Sequence, residues 1–291
     1  VAGVGQGRRQ DREDPDAGDA LPRRAEGFDA RDDRGLEDGQ LQRVERGGLV
    51  IVTTLDLALQ AEVDCIADLQ LARLRGSDSR DTLGDAGCEG ARLLPPLRAD
   101  QPTIAEPLAI QVVVLDPTTG AVLALRGDPR LSLPPGSALS PFVYLTAFTR
   151  GFSPATLLWD IPASVPPEVP TAGNADGLSL GPLRLRTALA NDRMVTALHT
   201  LAQVGPANAW RTVRQSGVEQ FNPPDSGPES YSPLLEGNPV SIVELAHAYS
   251  LFANDGFLAG RAYSEEAFAP LSFTLVRTPD HEVLLDWRTP D

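Results

Sequence analysis

The hydrophobic pattern divides the chain into two parts. Residues 1–47 are rich in Asp, Glu, Arg and Gly and show neither a helical nor a strand period, which is typical of a linker or loosely ordered arm. Over residues 48–291, apolar runs and helical periods recur between turn residues. We therefore predict a charged, acidic arm over 1–47 and one folded domain over 48–291.

The domain is predicted to begin with a strand and an amphipathic helix. Leu49–Val52 is a short β-branched run, and apolar residues then recur at helical spacing. These residues are Leu59, Val63, Ile66 and Leu74. Thr53 is followed three residues later by Asp56, a spacing that indicates a capping box at the start of this helix.

A hairpin is predicted near residue 116. The apolar runs Val112–Leu115 and Ala121–Leu125 flank the turn Asp116–Gly120, in which Pro117 has the φ angle that the turn needs and the glycine tolerates positive φ. Because both runs are almost continuously apolar, we expect the sheet to be covered on both faces.

Three more helices follow the hairpin. The first is predicted to start at Ser137, whose hydroxyl we expect to cap its N-terminus. The second is predicted over 186–204 and ends at Gly205. Ser241 and Glu244 form a capping box for the third helix, which is almost wholly apolar and is expected to be buried. One hairpin combined with several helices indicates an α/β (α+β) fold.

Composition restricts the function classes. The chain carries 40 acidic and 25 basic side chains, for a net charge of -15, which argues against nucleic acid as a partner. The apolar runs are shorter than the roughly 20 residues that span a bilayer, so we expect no transmembrane segment. Every basic side chain other than histidine is arginine, and lysine is absent. A coding preference for arginine explains this, but it excludes any mechanism that requires a lysine.

The cysteines and histidines show no metal-binding spacing. Cys65 and Cys88 flank a polar segment that a disulfide would close, which would indicate an oxidising compartment; two free thiols are the alternative. His199, His247 and His281 lie far apart in the sequence and are interpreted as structural. We predict neither a metal nor a cofactor.

Seven segments, taken in order, resemble the penicillin-binding transpeptidase domain of class A bifunctional penicillin-binding proteins. The segments are Gly48–Asp56, Val114–Ala124, Pro135–Tyr144, Gly151–Pro154, Leu185–Ala190, Glu244–Tyr249 and Phe252–Gly256. The resemblance implies a fold like that of serine β-lactamases, with a central antiparallel sheet flanked by helices. It also implies an extracytoplasmic location and, as substrate, the stem peptide of peptidoglycan or a β-lactam that mimics it.

The resemblance also implies a catalytic set from which this sequence departs. The family uses a Ser-x-x-Lys motif, a Ser-x-Asn motif and a Lys-Thr/Ser-Gly strand. Ser137 matches the nucleophile, but Ser140 stands where the family has lysine, and Asp192 and Met194 stand where it has Ser and Asn. The third motif cannot occur without lysine. We therefore interpret the domain as degenerate and incomplete at its C-terminal end, without the last strands of the sheet.

Two interpretations of Asp192 follow. A carboxylate there would replace the lost base if it were desolvated beside Ser137; we favour the alternative of a solvated surface residue.

The expected function is that of a catalytically inactive transpeptidase-like domain. It would act as a scaffold or as a partner-binding subunit at the cell envelope or in a membrane complex, with other protein subunits as partners and weak contact to peptidoglycan stem peptides. Any membrane anchor would lie outside this sequence. The alternative is a fragment of a bifunctional peptidoglycan synthase, with glycosyltransferase and transpeptidase halves and residual acylation of Ser137.

Overall fold

A computed structural model describes most of the chain beyond residue 46. The described residues are 47–76, 88–95, 104, 108–162, 165, 173–218, 221, 230–235, 238–262 and 268–288. The predicted arm lies outside them apart from Gly47, so the division at residue 47 stays a prediction. No helix in these ranges is long and apolar enough to cross a membrane.

Antiparallel strand pairs and helices are mixed along the chain, which confirms the predicted α/β (α+β) fold class. The strands are β1 (Val50–Thr53), β2 (Val112–Leu115), β3 (Val122–Arg126), β4 (Ser132–Leu133), β5 (Leu157–Asp160), β6 (Gly181–Arg184), β7 (Val240–Ser241), β8 (Arg261–Ala262), β9 (Phe268–Ala269), β10 (Phe273–Arg277) and β11 (Val283–Asp286). The helices are α1 (Leu57–Leu74), α2 (Ser140–Thr149), α3 (Leu185–Ala190), α4 (Met194–Val204), α5 (Pro206–Gln215), α6 (Ser232–Leu235) and α7 (Ile242–Ala253).

Helix α1 is capped by a different residue from the one predicted. Asp56 is the N-cap, and its carboxylate accepts hydrogen bonds from the backbone N–H groups of Ala58 and Leu59. Thr53 is the last residue of β1, so the predicted capping box is wrong. The Asp56 side chain alone satisfies two of the free N–H groups in the first turn.

The predicted hairpin is confirmed as the antiparallel pair β2–β3, with Val113 opposite Leu125. The carboxylate of Asp116 accepts hydrogen bonds from the hydroxyls of Thr118 and Thr119, which closes the turn. Gly120 has a φ of 73°, and a Cβ atom there would lie 2.3 Å from a backbone oxygen.

Cover on the hairpin is uneven. Val122 and Ala124 of β3 are buried, whereas β2 is half-buried along its length. We predicted that both strands of the hairpin would be covered on both faces. The prediction is right only for the buried residues of β3 and wrong for β2. Antiparallel strands β1, β10 and β11 form a separate sheet that meets the hairpin through a parallel bridge between Ala121 and Leu271.

The predicted helix over 186–204 is two helices. α3 ends at Ala190, α4 begins at Met194, and Asp192 between them has a φ of 47°. Asn and Asp are weak helix formers that tolerate this left-handed conformation, so the prediction of a continuous helix is wrong. The end of α4 at Gly205 is confirmed.

Helix α7 begins with the predicted capping box between Ser241 and Glu244. Its predicted complete burial is wrong, because Tyr249 and Phe252 are 36% and 45% exposed. Both rings pack on the buried ring of Phe142 from α2. The apolar character of this surface therefore comes from an aromatic cluster at the edge of the core.

The main core lies among α2, α4 and α5, where Phe142, Leu198 and Trp210 are fully buried. A second, smaller cluster around Leu69 is closed by a disulfide between Cys65 and Cys88. The predicted bond is therefore present, and free thiols are excluded for both cysteines.

The disulfide should stabilise the domain. A bond that closes a loop of 23 residues restricts the unfolded chain, and the double variant Cys65→Ser, Cys88→Ser should lose about 3 kcal/mol of unfolding free energy. Urea titration with and without a reductant measures this loss. The reductant should destabilise the unaltered chain and leave the variant unchanged; equal stability of the two proteins would contradict the expectation.

Candidate functional site

Ser137 lies in a 3₁₀ turn, Gly136–Leu139, that runs directly into α2. Its hydroxyl donates a hydrogen bond to Oδ2 of Asp192 over 2.9 Å. The predicted role of Ser137 as a helix N-cap is wrong, since neither the turn nor α2 has a side-chain cap. The backbone is already helical at Ser137, in the 3₁₀ turn before α2 begins. The Ser137 hydroxyl therefore does not cap α2 and instead contacts the α3–α4 connection at Asp192.

Asp192 is held in place by its neighbour. It is exposed and left-handed, but the adjacent Arg193 is buried and forms ion pairs with Asp160 at 2.7 Å and Asp176 at 2.6 Å. Arg193 also donates to the backbone oxygen of Leu178. Asp192 therefore combines the predicted exposure with a contact to Ser137 that a freely solvated side chain would lack.

Asp160 is the buried centre of this network. Burial alone would raise the pKa of its carboxyl, but hydrogen bonds from Asn174, Arg193 and the Leu180 N–H outweigh that effect and hold the pKa below its usual range. Asn174 also accepts a hydrogen bond from the N–H of Val195 at the start of α4. The α3–α4 connection is thus tied to strand β5 through side chains.

A buried serine lies at the position that the sequence resemblance assigns to the family lysine. Ser140 is 4% exposed, and its hydroxyl has no hydrogen-bond partner. One turn later on α2, Tyr144 is also buried, and its hydroxyl lies beside Thr200 of α4. Burial, and secondly the negative charge of Asp192, raise the pKa of Tyr144 far above its usual range. Met194 is half-buried and packs against the main core, so it offers no amide to the site.

Tyr249 is a site residue that sequence reasoning missed. Its hydroxyl donates to the backbone oxygen of Ala138 over 2.6 Å, next to Ser137. Burial and the charge of Asp192 raise its pKa as well. Tyr249 ends the Glu244–Tyr249 segment of the resemblance, but it lies within an apolar helix, so only the packing of α7 against the 3₁₀ turn places it at the site.

The structural interpretation of His247 is confirmed, because it is buried and its Nε2 pairs with the backbone oxygen of Ala259 at 2.8 Å. Within the described ranges, no group of three or more His, Cys, Asp and Glu side chains is arranged to bind a metal ion.

The lowered pKa of Asp160 predicts an acid-sensitive fold. Because the pKa is lower in the folded than in the unfolded state, the ionised carboxylate stabilises the fold above the unfolded pKa, and this stability is lost as pH falls through the folded value. Unfolding free energy should thus fall as pH drops below the carboxyl pKa of the unfolded chain, about 4. Asp160→Asn should be less stable at pH 7 and show a smaller fall, measured by urea titration. The exposed variant Asp255→Asn is the control and should follow the unaltered chain; an identical pH profile for Asp160→Asn would refute the assignment.

Comparisons with known proteins agree with this architecture. Penicillin-binding protein 1A of Neisseria lactamica is 32% identical over 171 residues, which cover 53% of this chain and 21% of that protein. The Pseudomonas aeruginosa protein of the same name is 30% identical over 161 residues, or 50% of this chain and 19% of its relative. The chain thus spans about a fifth of the length of these curated relatives.

Solved structures share the fold. PonA1 from Mycobacterium tuberculosis aligns with a TM-score of 0.61 at 20% identity, over 86% of this chain and 59% of that chain. Penicillin-binding protein 1A from Haemophilus influenzae aligns with a TM-score of 0.56 at 17% identity, over 85% of this chain and 48% of that chain. The profile of the penicillin-binding protein transpeptidase domain matches residues 110–261, just over half of the sequence. The chain therefore belongs to the penicillin-binding protein transpeptidase domain family.

Proposed function

We propose that this domain does not transfer peptides by the serine–lysine chemistry of its family and serves instead as a scaffold or partner-binding subunit outside the cytoplasm. The observation that carries the proposal is Ser140, a buried serine where the family chemistry needs a lysine amine. A serine hydroxyl becomes a good nucleophile only when a base takes its proton. No lysine elsewhere in the sequence can supply one.

The retained packing supports a scaffold. The ion pair of Arg193 and Asp160 and the core around Phe142 and Trp210 need no catalytic lysine. On the hairpin β5–β6, the outward side chains of Leu157 and Trp159 are 61% and 52% exposed, and exposed apolar patches are typical of partner surfaces. The Cys65–Cys88 disulfide is consistent with an oxidising compartment.

The test is covalent labelling by a penicillin. We expect intact-protein mass spectrometry to find no adduct on the unaltered chain or on Ser137→Ala, because Ser137 lacks a base of sufficient strength. A penicillin-binding protein with an intact Ser-x-x-Lys motif serves as the positive control. An adduct that forms on the unaltered chain and is lost in Ser137→Ala would refute the proposal.

A second function is favoured by one distance, the 2.9 Å hydrogen bond from Ser137 Oγ to Asp192. In this alternative, the chain is part of a bifunctional peptidoglycan synthase and retains slow acylation. The Ser137 proton passes to the Asp192 carboxylate while Oγ bonds to the lactam carbonyl carbon. The lactam C–N bond then breaks, and its nitrogen takes the proton. Carboxylates are weaker bases than neutral amines, so this route is expected to be slow.

The two functions are separated by Asp192→Asn. Under residual acylation, the adduct forms over hours on the unaltered chain, and both Ser137→Ala and Asp192→Asn lose it. The control Asp255→Asn replaces another exposed, left-handed aspartate and should label like the unaltered chain. Labelling that survives Asp192→Asn would exclude Asp192 as the base.

A further inference from the structure

The hairpin β5–β6 has one face toward the core and one face outward. Leu158 is buried, whereas its neighbours Leu157 and Trp159 are exposed. Side chains that stand directly opposite each other in an antiparallel pair lie on the same face. Leu157 stands opposite Arg184, and Trp159 stands opposite Pro182, and both of these partners are exposed. The outward face therefore combines three apolar side chains with one guanidinium.

Apolar exposure continues in the segment that enters β6. Leu178 and Leu180 are 58% and 52% exposed, and the N–H of Leu180 donates to the carboxylate of Asp160, which keeps this segment beside β5. Single exposed apolar residues are ordinary, but a group of them that includes tryptophan beside arginine has the composition of the centre of a protein interface.

The charge on this face is opposite to that of the chain. The net charge of the chain is -15, yet Arg184 and Arg186 are exposed and form no ion pair with any residue that the structure describes. Arg186 is held near the hairpin because its N–H donates to the backbone oxygen of Pro154. The carboxylate of Asp176, in the turn before β6, is already paired with Arg193. Both exposed guanidiniums therefore lack a carboxylate partner.

We propose that the outward face of β5–β6 binds an acidic segment of a partner protein that also carries apolar side chains. Arginine binds carboxylates through paired, charge-assisted hydrogen bonds, and Leu157 and Trp159 offer apolar surface for burial. The acidic remainder of the domain repels such a segment, so the local arginines determine where it binds. This inference rests on the proposed role as a partner-binding subunit and names the chemistry of the partner.

Two other occupants fit these charges less well. In a symmetric dimer the same patch meets itself, which would bring the unpaired arginines of two copies together. An anionic membrane would attract the arginines, but it would repel a chain whose net charge is -15.

The test is binding of short labelled peptides to the full chain, measured by fluorescence anisotropy. Leucine alternates with glutamate in one peptide, with glutamine in the second and with lysine in the third. The glutamate peptide should bind about fivefold more tightly than the glutamine peptide for each exposed ion pair that it forms, and the lysine peptide should bind most weakly. Higher ionic strength should reduce the difference, because exposed charges are screened.

Matched variants localise the binding. Arg184→Gln and Trp159→Ala change exposed side chains, so they should fold, and each should weaken binding of the glutamate peptide about fivefold. The control Arg211→Gln replaces an exposed arginine on α5 and should bind like the unaltered chain.

Three results would overturn the proposal. They are equal binding of the glutamate and lysine peptides, unchanged binding of the glutamate peptide when Arg184→Gln and Trp159→Ala are combined, and sedimentation with phosphatidylglycerol vesicles that the same two changes abolish, which would assign the face to a membrane. Penicillin labelling of Ser137 is independent of all three. An adduct that Ser137→Ala loses would refute the proposed function, whereas failure of peptide binding would overturn this surface alone.

Discussion

The buried ion pair between Arg193 and Asp160 is the interaction on which the site depends. Asp192 adopts a left-handed backbone conformation, which is energetically unfavourable for a residue other than glycine unless the surroundings hold it. Arg193 supplies that hold, because its guanidinium is anchored on Asp160 of β5, and Asn174 adds a bond to the first turn of α4. Breaking a buried pair leaves an uncompensated charge and typically costs about 3–5 kcal/mol. The contact between Asp192 and Ser137 therefore depends on the anchoring of Arg193 by Asp160 of β5.

Fold and chemistry place different demands on this region. Packing of α2 requires that Phe142 and Val143 be apolar and of suitable size, and volume-conserving changes satisfy that demand. The serine–lysine chemistry requires an amine as base, which no amount of correct packing replaces, and this sequence contains no lysine. The chain meets the demand of packing, and family membership alone does not establish an activity here.

Local sequence patterns predicted much of the fold. The capping box of Ser241 and Glu244, the turn at Asp116 and the Cys65–Cys88 bond each depend on residues near one another in the sequence or on one pair of cysteines. The break at Asp192 was missed because the weak helix propensity of Asn191 and Asp192 only permits it, whereas the anchoring of Arg193 by Asp160, which holds it, joins residues that are distant in the sequence. The assignment of residues to the family's motif positions comes from the resemblance and stays a prediction. Their contacts, and the part played by Tyr249, come from packing between helices that no single segment encodes.

One electrostatic observation bears on the proposed function. The carboxylate of Asp192 lies beside Ser137, and its negative charge contributes to the raised pKa values of Tyr144 and Tyr249. A negative site disfavours an anionic substrate and the oxyanion that acylation would create. The absence of lysine therefore removes a base and leaves a negative charge beside Ser137.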